Sequence, residues 1–379
     1  MKISRIDQFF PRHRIRLVRI TTDTGLVGWG ETTLEGRHRS THAAVDEIAD
    51  YLVGQDPRRI EHHWQHLYRY PFYRGGSVRM SALSGIDQAL WDILGKHHGV
   101  PAHALLGGAV RDRIRVYAHW GIADLSDETQ AAARERLDML QRTGGYTAFK
   151  SGPPGPWRAH EPPSVIDQWV KCAYLMREWV GPEVELAFDF HGKMAPALAI
   201  EICHELKSMR PMFVEEPVPQ ENIDALKLVS DHVTFPIATG ERLMSRWEYR
   251  EVFEKQAVAF IQPDASHAGG ISELRRIAQM AEVYSMHVLP HCAIGPVALA
   301  ACMQVDAVTP NFLCQEQVDA ALGNGLLTED WKVTDGYIGL PTRPGLGFEI
   351  DEAAAQGRVE SGEELGGVFR YEDGSVADW

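Results

Sequence analysis

Six ionisable residues recur along the second half of the chain at nearly constant intervals. Asp189, Glu215, Glu241, Asp264, His291 and Glu316 are separated by 26, 26, 23, 27 and 25 residues. Each closes a short apolar run: VELAFDFH, MFVEEP, FPIATGE, AVAFIQPD, HVLPH and NFLCQE. A lone carboxylate just past a strand is most often a helix N-cap, and a lone His among 17 has no special claim. Six groups in phase are a different matter. Neighbouring carboxylates in a low-dielectric setting repel strongly unless a cation holds them. An oxygen-only donor set without thiolate favours a hard ion, Mg²⁺ first.

An interval of about 25 residues accommodates one strand, one helix and two loops. Each step therefore moves one strand around a closed sheet and returns to the same rim. Two earlier runs, IRVYAHW and YTAFK, bring the count from Ile114 onward to eight. Eight parallel strands buried on both faces close a barrel, whose active site lies at the C-terminal ends of the strands. Upstream, ISRIDQFF, RIRLVRITT and LVGWGE read as an antiparallel meander with an Asp-Thr-Gly turn. THAAVDEIADYLVG, RIEHHWQHLYRY and MSALSGIDQALWDILGKHHG carry helical spacing. The predicted fold class is α/β, a modified TIM barrel. The expected organisation is an α+β cap over residues 1–113, the barrel over 114–344, and a segment 345–379 that returns to the cap.

The chain has 379 residues and a net charge of −14, with 44 % hydrophobic and 24 % charged residues. That composition excludes a largely disordered chain, and the charge argues against nucleic-acid partners. No run approaches ~18 apolar residues and the N-terminus lacks a signal-like apolar core, so no membrane association and a cytoplasmic location are expected. The five scattered cysteines, Cys172, Cys203, Cys292, Cys302 and Cys314, read as buried reduced thiols.

The ordered set of motifs resembles the enolase superfamily in its mandelate racemase branch, and most closely the D-galactonate dehydratases among its sugar-acid dehydratases. It comprises LVGWGE, FYRGG (72–76), GIDQALWDI, DFHG, EEPV, GERL, QPDASHAGGI, PHCAIGPVALAAC, QEQ, PGLGFEIDEA and SVADW. The resemblance implies a (β/α)₇β barrel with Mg²⁺ on Asp189, Glu215 and Glu241. It implies an Asp264–His291 dyad in which the carboxylate orients a basic imidazole. Glu316 would meet the substrate carboxylate or the enediolate oxygen, and Lys150 would contact the carboxylate. His191, two residues beyond Asp189 and so on the same strand face, would protonate a departing hydroxyl. A homo-oligomer acting on a small acid-sugar substrate is also implied.

That chemistry explains the residue types. A proton α to a carboxylate is weakly acidic, so the enediolate must be stabilised as it forms, and the base must titrate near neutrality. The second barrel strand ends Phe149-Lys150-Ser151-Gly152, with Gly152 where the family's racemases carry a second Lys. Dehydration is therefore favoured over racemisation. The expected product is a 2-keto-3-deoxy acid, with D-galactonate the leading substrate. The stretch SGPPGPWRAHEPP (151–163) departs from the galactonate pattern, which leaves gluconate-, arabinonate- or aldarate-type substrates open, and an epimerase behind them. Arg37 and Tyr73, on segments resembling the loops that cover the substrate, and Trp120, ending the first strand, are the remaining substrate-binding candidates. His267 reads as structural.

Overall fold

The alternating N-terminal runs form three antiparallel strands, β1 (Ile3–Arg12), β2 (Ile15–Thr22) and β3 (Val27–Glu31), in the order β1-β2-β3. Helices α1 (His38–Leu52), α2 (Ile60–Arg69) and α3 (Ser77–His98) follow. In α1 the buried residues Thr41, Ala44, Val45, Ile48 and Leu52 recur at spacings of three and four, as one amphipathic face requires. The computed structural model describes residues 1–70, 72–356 and 369–378.

After a short α4 (Ala102–Leu105), strands and helices alternate. The order is β4 (Arg113–His119), α5 (Asp127–Gly144), β5 (Ala148–Ser151), α6 (Pro163–Val180), β6 (Glu185–Asp189) and α7 (Pro196–Leu206). Then come β7 (Phe213–Glu215), α8 (Ile223–His232), β8 (Ile237–Thr239), α9 (Arg246–Lys255) and β9 (Phe260–Ile261). The series ends with α10 (Gly270–Val283), β10 (His287–Val288), α11 (Pro296–Asp306) and β11 (Gln315–Gln317). Local chemistry sets several helix starts. Ser126 and Asn222 cap α5 and α8 with their side chains, and α6, α7 and α11 begin on Pro.

Strands β4 to β10 pair in parallel in sequence order, and β11 pairs with β4. A bridge between Val288 and Phe312 joins β10 to the approach to β11, so eight strands close around one axis. Seven helices connect them, which is the expected (β/α)₇β arrangement. All eight apolar runs in the sequence are barrel strands. The strand pair β12 (Val333–Thr334) and β13 (Tyr337–Gly339), by contrast, has no counterpart in the expected elements; β13 pairs antiparallel with the start of β4. A last short helix, α12 (Glu352–Ala355), follows. Residues 357–368 and Trp379, the end of the SVADW motif, lie outside the described residues.

Helix α3 is buried on nearly every side because it lies between the small sheet and the barrel. Its polar residues make the joint. Asp87 accepts from the Ser272 N–H at the start of α10, and Gln88 bridges the Glu31 N–H and the Ala265 carbonyl. Asp92 accepts from the Trp29 and Leu346 N–H groups, tying the sheet to the chain beyond the barrel. Glu31 in turn accepts from the Ala298 N–H in the first turn of α11, and burial pushes its carboxyl up to about 8. The contact between α3 and β3 has no room for side chains: a Cβ at Gly30 would lie 1.8 Å from the Gly85 carbonyl oxygen. Backbone cannot swing aside as a side chain can. Gly30→Ala is therefore expected to cost about 3 kcal/mol of stability, read as a lower urea midpoint.

All five cysteines are buried and unpaired. Among the described residues, no helix is long and apolar enough to cross a membrane.

Candidate active site

Side chains two apart on a strand share a face, and that rule locates the reactive layer. The barrel interior is filled by a cluster with a residue on or beside each strand, including Tyr117, Ala148, Ala187, Phe213, Leu289 and Cys314. Two positions further along stand His119, Lys150, Asp189, Glu215, His291 and Glu316. The layer above the apolar plug is thus ionisable on six strands, at the C-terminal rim. The other two contribute from the turns just beyond them: Glu241 follows Gly240, whose φ of 149° redirects the chain after β8, and Asp264 lies beyond β9.

Lys150 is at the centre. Its Nζ is 2.6 Å from Glu316 Oε1, 2.7 Å from Glu215 Oε2 and 3.2 Å from Asp189 Oδ2. Burial opposes the charge, but Glu215 and Glu316 hold the ammonium's pKa well above its ordinary value. His291 places Nδ1 2.6 Å from Asp264 Oδ2 and Nε2 2.9 Å from Glu241 Oε2. Burial opposes its charge too, and Glu316 and Glu241 outweigh it, so the imidazole titrates well above its ordinary value. Glu316 accepts from the Cys292 N–H at 3.0 Å and is bonded to His119 Nε2. Against burial, Lys150, His291 and His119 draw its carboxyl well below the usual range. Glu215 goes the other way, pushed well up by burial and by the neighbouring Asp189.

His191 Nε2 is 3.0 Å from Asp189 Oδ2, so the two converge as expected, but strand alternation is not the cause. Strand β6 ends at Asp189. His191 lies in the turn beyond, at φ +50°, with its N–H bonded to Asp189 Oδ1 at 3.0 Å. Such a left-handed non-glycine residue stores roughly 1–3 kcal/mol of strain, as does its counterpart Glu216 at φ +38° after β7. These groups open into a cavity of about 510 Å³. Its floor includes Lys150, Asp189, Glu241 and His291, and its roof includes Arg14, Leu34 and Glu35 from the N-terminal part.

The chain matches the family described as mandelate racemase / muconate lactonizing enzyme, N-terminal domain, over residues 10–107, and the family enolase C-terminal domain-like over 129–354. It belongs to the enolase superfamily. Full-length relatives agree. The D-galactonate dehydratases of Ralstonia nicotianae and Ralstonia pickettii are 44 % and 42 % identical to it over 100 % of both chains. An enolase from Agrobacterium radiobacter, bound to Na and L-malate, superposes with a TM-score of 0.89 at 34 % identity over 100 % of both chains. With dehydratase relatives along its whole length, this superfamily member is a hydro-lyase.

Enolase-superfamily sites combine a Lys or His base with Mg²⁺, and the donor set here suits such an ion. Asp189 and Glu215 are direct partners across the β6–β7 ladder, and the Glu215 Oε1 atom is buried without a hydrogen-bond partner. An uncompensated buried carboxylate oxygen is costly, and a hard cation satisfies it. As the side chains stand, no three such groups among the described residues converge around one point. Lys150 and His291 engage the carboxylates pairwise instead.

Position 152, where the superfamily's racemases carry a second base, cannot take a side chain on this backbone. A Cβ there would lie 2.1 Å from the Asp189 carbonyl oxygen. The divergent loop that follows is held from two sides: Lys193 Nζ donates to the Pro153 and Gly155 carbonyls, and Tyr371 Oη donates to the Trp157 carbonyl.

The remaining substrate candidates are placed differently from expectation. Arg37 is exposed at the start of α1, and Tyr73 is 87 % exposed; neither borders the cavity. The N-terminal part reaches the cavity instead through Arg14 and Glu35, paired at 2.8 Å. Trp120 points outward into the layer between barrel and helices, where its indole N–H donates to the Ala133 carbonyl, and only its edge borders a side lobe. The inward position on that strand is His119, one residue earlier. His267 is both structural and exposed to the site, bonding Ser81 Oγ at 3.0 Å while lining the cavity. His119 was missed among the residues expected from the sequence; the period-two alternation of IRVYAHW is the signal that could have found it, since Val116, Ala118 and Trp120 form one face and Tyr117 and His119 the other.

Proposed function

We propose that the chain is a Mg²⁺-dependent dehydratase of aldonates, with D-galactonate its leading substrate. The observation that carries the reading is the pair of imidazoles on opposite walls of one cavity. His191 follows β6 and His291 follows β10, four strands apart in a barrel of eight, with the carboxylates between them. A base and an acid so separated suit removal of a proton and a hydroxyl from adjacent carbons. A single base suits elimination better than racemisation, and Gly152 leaves no room for a second.

Asp189, Glu215 and Glu241 would hold the ion. Once bound, it supplies Lewis-acid stabilisation to the substrate carboxylate as negative charge builds on it. Lys150, kept cationic by its carboxylate neighbours, faces the same charge. Asp264 accepts from His291 Nδ1–H, which fixes the ring; Nε2, now paired with Glu241, would become the base for the C2 proton once Glu241 is turned to the ion and no longer holds the imidazole's charge. His191 gives a proton to the C3 hydroxyl, which leaves as water. The enol so formed takes a proton at C3 and becomes the 2-keto-3-deoxy acid. The full-length relatives named for D-galactonate favour that substrate, while the loop at 151–163 favours testing its isomers beside it.

The test is turnover of a panel of aldonates and aldarates with Mg²⁺, the keto product being trapped by semicarbazide. D-galactonate is expected to give the largest kcat/KM, and activity is expected to vanish on chelation and return with Mg²⁺. Preferential turnover of another acid sugar would move the substrate assignment. Exchange at C2 without loss of water from any of them would overturn the dehydratase reading in favour of an epimerase.

A further inference from the structure

One member of the ionisable layer has no part in this chemistry. His119 Nε2 is bonded to Glu316 Oε1, and Glu316 also accepts from the Cys292 N–H and from Lys150. A carboxylate with that many donors is an acceptor only, so Nε2 carries the hydrogen, and in the neutral ring Nδ1 is left as an acceptor. Among the described residues Nδ1 makes no hydrogen bond. The His119 side chain is 41 % exposed, whereas Lys150 beside it in the ladder is buried. Its exposed edge borders both the main cavity and a lobe of about 390 Å³.

Gly121 and Gly152 are among the residues that line that lobe. Its far end is Arg136, whose guanidinium is held by Asp319 through bonds of 2.7 and 2.9 Å. The cation is thereby neutralised. Lys150 and His191, which also line the lobe, are paired with Asp189, and a lobe whose charges are all paired suits hydroxyl groups better than a second carboxylate.

We infer that His119 is a specificity-determining residue: its Nε2–H holds Glu316 while its Nδ1 accepts a hydrogen bond from a substrate hydroxyl beyond C3, seated in the lobe. This rests on the acid-sugar dehydratase reading. It separates two jobs within one ring, and amide replacements address them singly. Asn carries its amide near the Nδ1 position, and Gln carries it near Nε2.

The experiment measures binding by calorimetry with Mg²⁺ in the inert His291→Asn background, so that no substrate is consumed. A six-carbon aldonate is compared with glycerate, which ends at C3. His119→Gln is expected to weaken the aldonate about tenfold, the worth of one net hydrogen bond, and to leave glycerate unchanged. His119→Asn is expected to hold the aldonate within about twofold and, in the active enzyme, to lower kcat through Glu316. Loss with Asn but not Gln, equal loss for both acids, or no loss with either variant would overturn the assignment. The parent's turnover, measured in parallel, keeps the two ideas apart. A tail-dependent loss in a chain that dehydrates no acid sugar removes the dehydratase reading and keeps the subsite. A chain that binds no hydroxy acid removes both.

Discussion

His291→Asn is expected to lower dehydration by about 10²- to 10⁴-fold, the usual worth of a positioned general base, and to abolish deuterium exchange at C2. The substitution is chosen for what it keeps. The Asn amide stands near Nδ1 and retains a donor to Asp264, which lies 2.6 Å from the ring and is fully buried. The acceptor that would take the proton is gone. His291 is not among Asp189, Glu215 and Glu241, so a calorimetric Mg²⁺ titration should still reach one equivalent. Solvent deuterium appearing at C2 in this variant would show that another group removes the proton. Loss of Mg²⁺ binding would instead place His291 in the ion's site.

The second large effect separates the two halves of the reaction. His191→Asn is expected to reduce loss of the C3 hydroxyl by about 10²-fold or more while C2 exchange continues at a measurable rate. The reason is position: His191 stands on the wall opposite His291, in contact with Asp189. An intermediate that cannot expel hydroxide can only return its proton, so exchange should exceed dehydration in the variant. Equal loss of both would mean that His191 does not act as the acid at C3 and serves mainly to position Asp189. A parallel Mg²⁺ titration distinguishes that outcome, because a displaced Asp189 would weaken the ion.

Much of this architecture was legible in the chain. Parallel barrel strands are short, apolar and buried on both faces, so ELAFD and AVAFI announce themselves without alternation. The interval of about 25 residues then carries each reactive group to the same rim, because one βα unit has a nearly fixed length. Asp189, Glu215, Glu241, Asp264, His291 and Glu316 meet for that reason, and Lys150 joins them because it stands two residues past the inward-facing Ala148 on β5. The hairpin β12–β13 was silent because each strand is two or three residues long, too short to display a period.

Which residues surround the reactive layer could only be decided in three dimensions. Strand side chains alternate, so an error of one residue in the inward position exchanges His119 for Trp120. Arg37 and Tyr73 lie on loops whose course depends on packing between distant elements, and here Arg14 and Glu35 reach the cavity in their place. The convergence of His191 on Asp189 comes from a strained turn, not from strand geometry. That Gly152 must be glycine follows from the path of the Asp189 carbonyl on the neighbouring strand, some 40 residues away in sequence but 2.1 Å from where its Cβ would stand. Periodicity alone determined the barrel and its ring of ionisable groups, since covalent spacing and strand length fix both. The walls of the cavity, and the reason position 152 must stay glycine, were set by contacts between residues far apart in the chain, which no local pattern encodes.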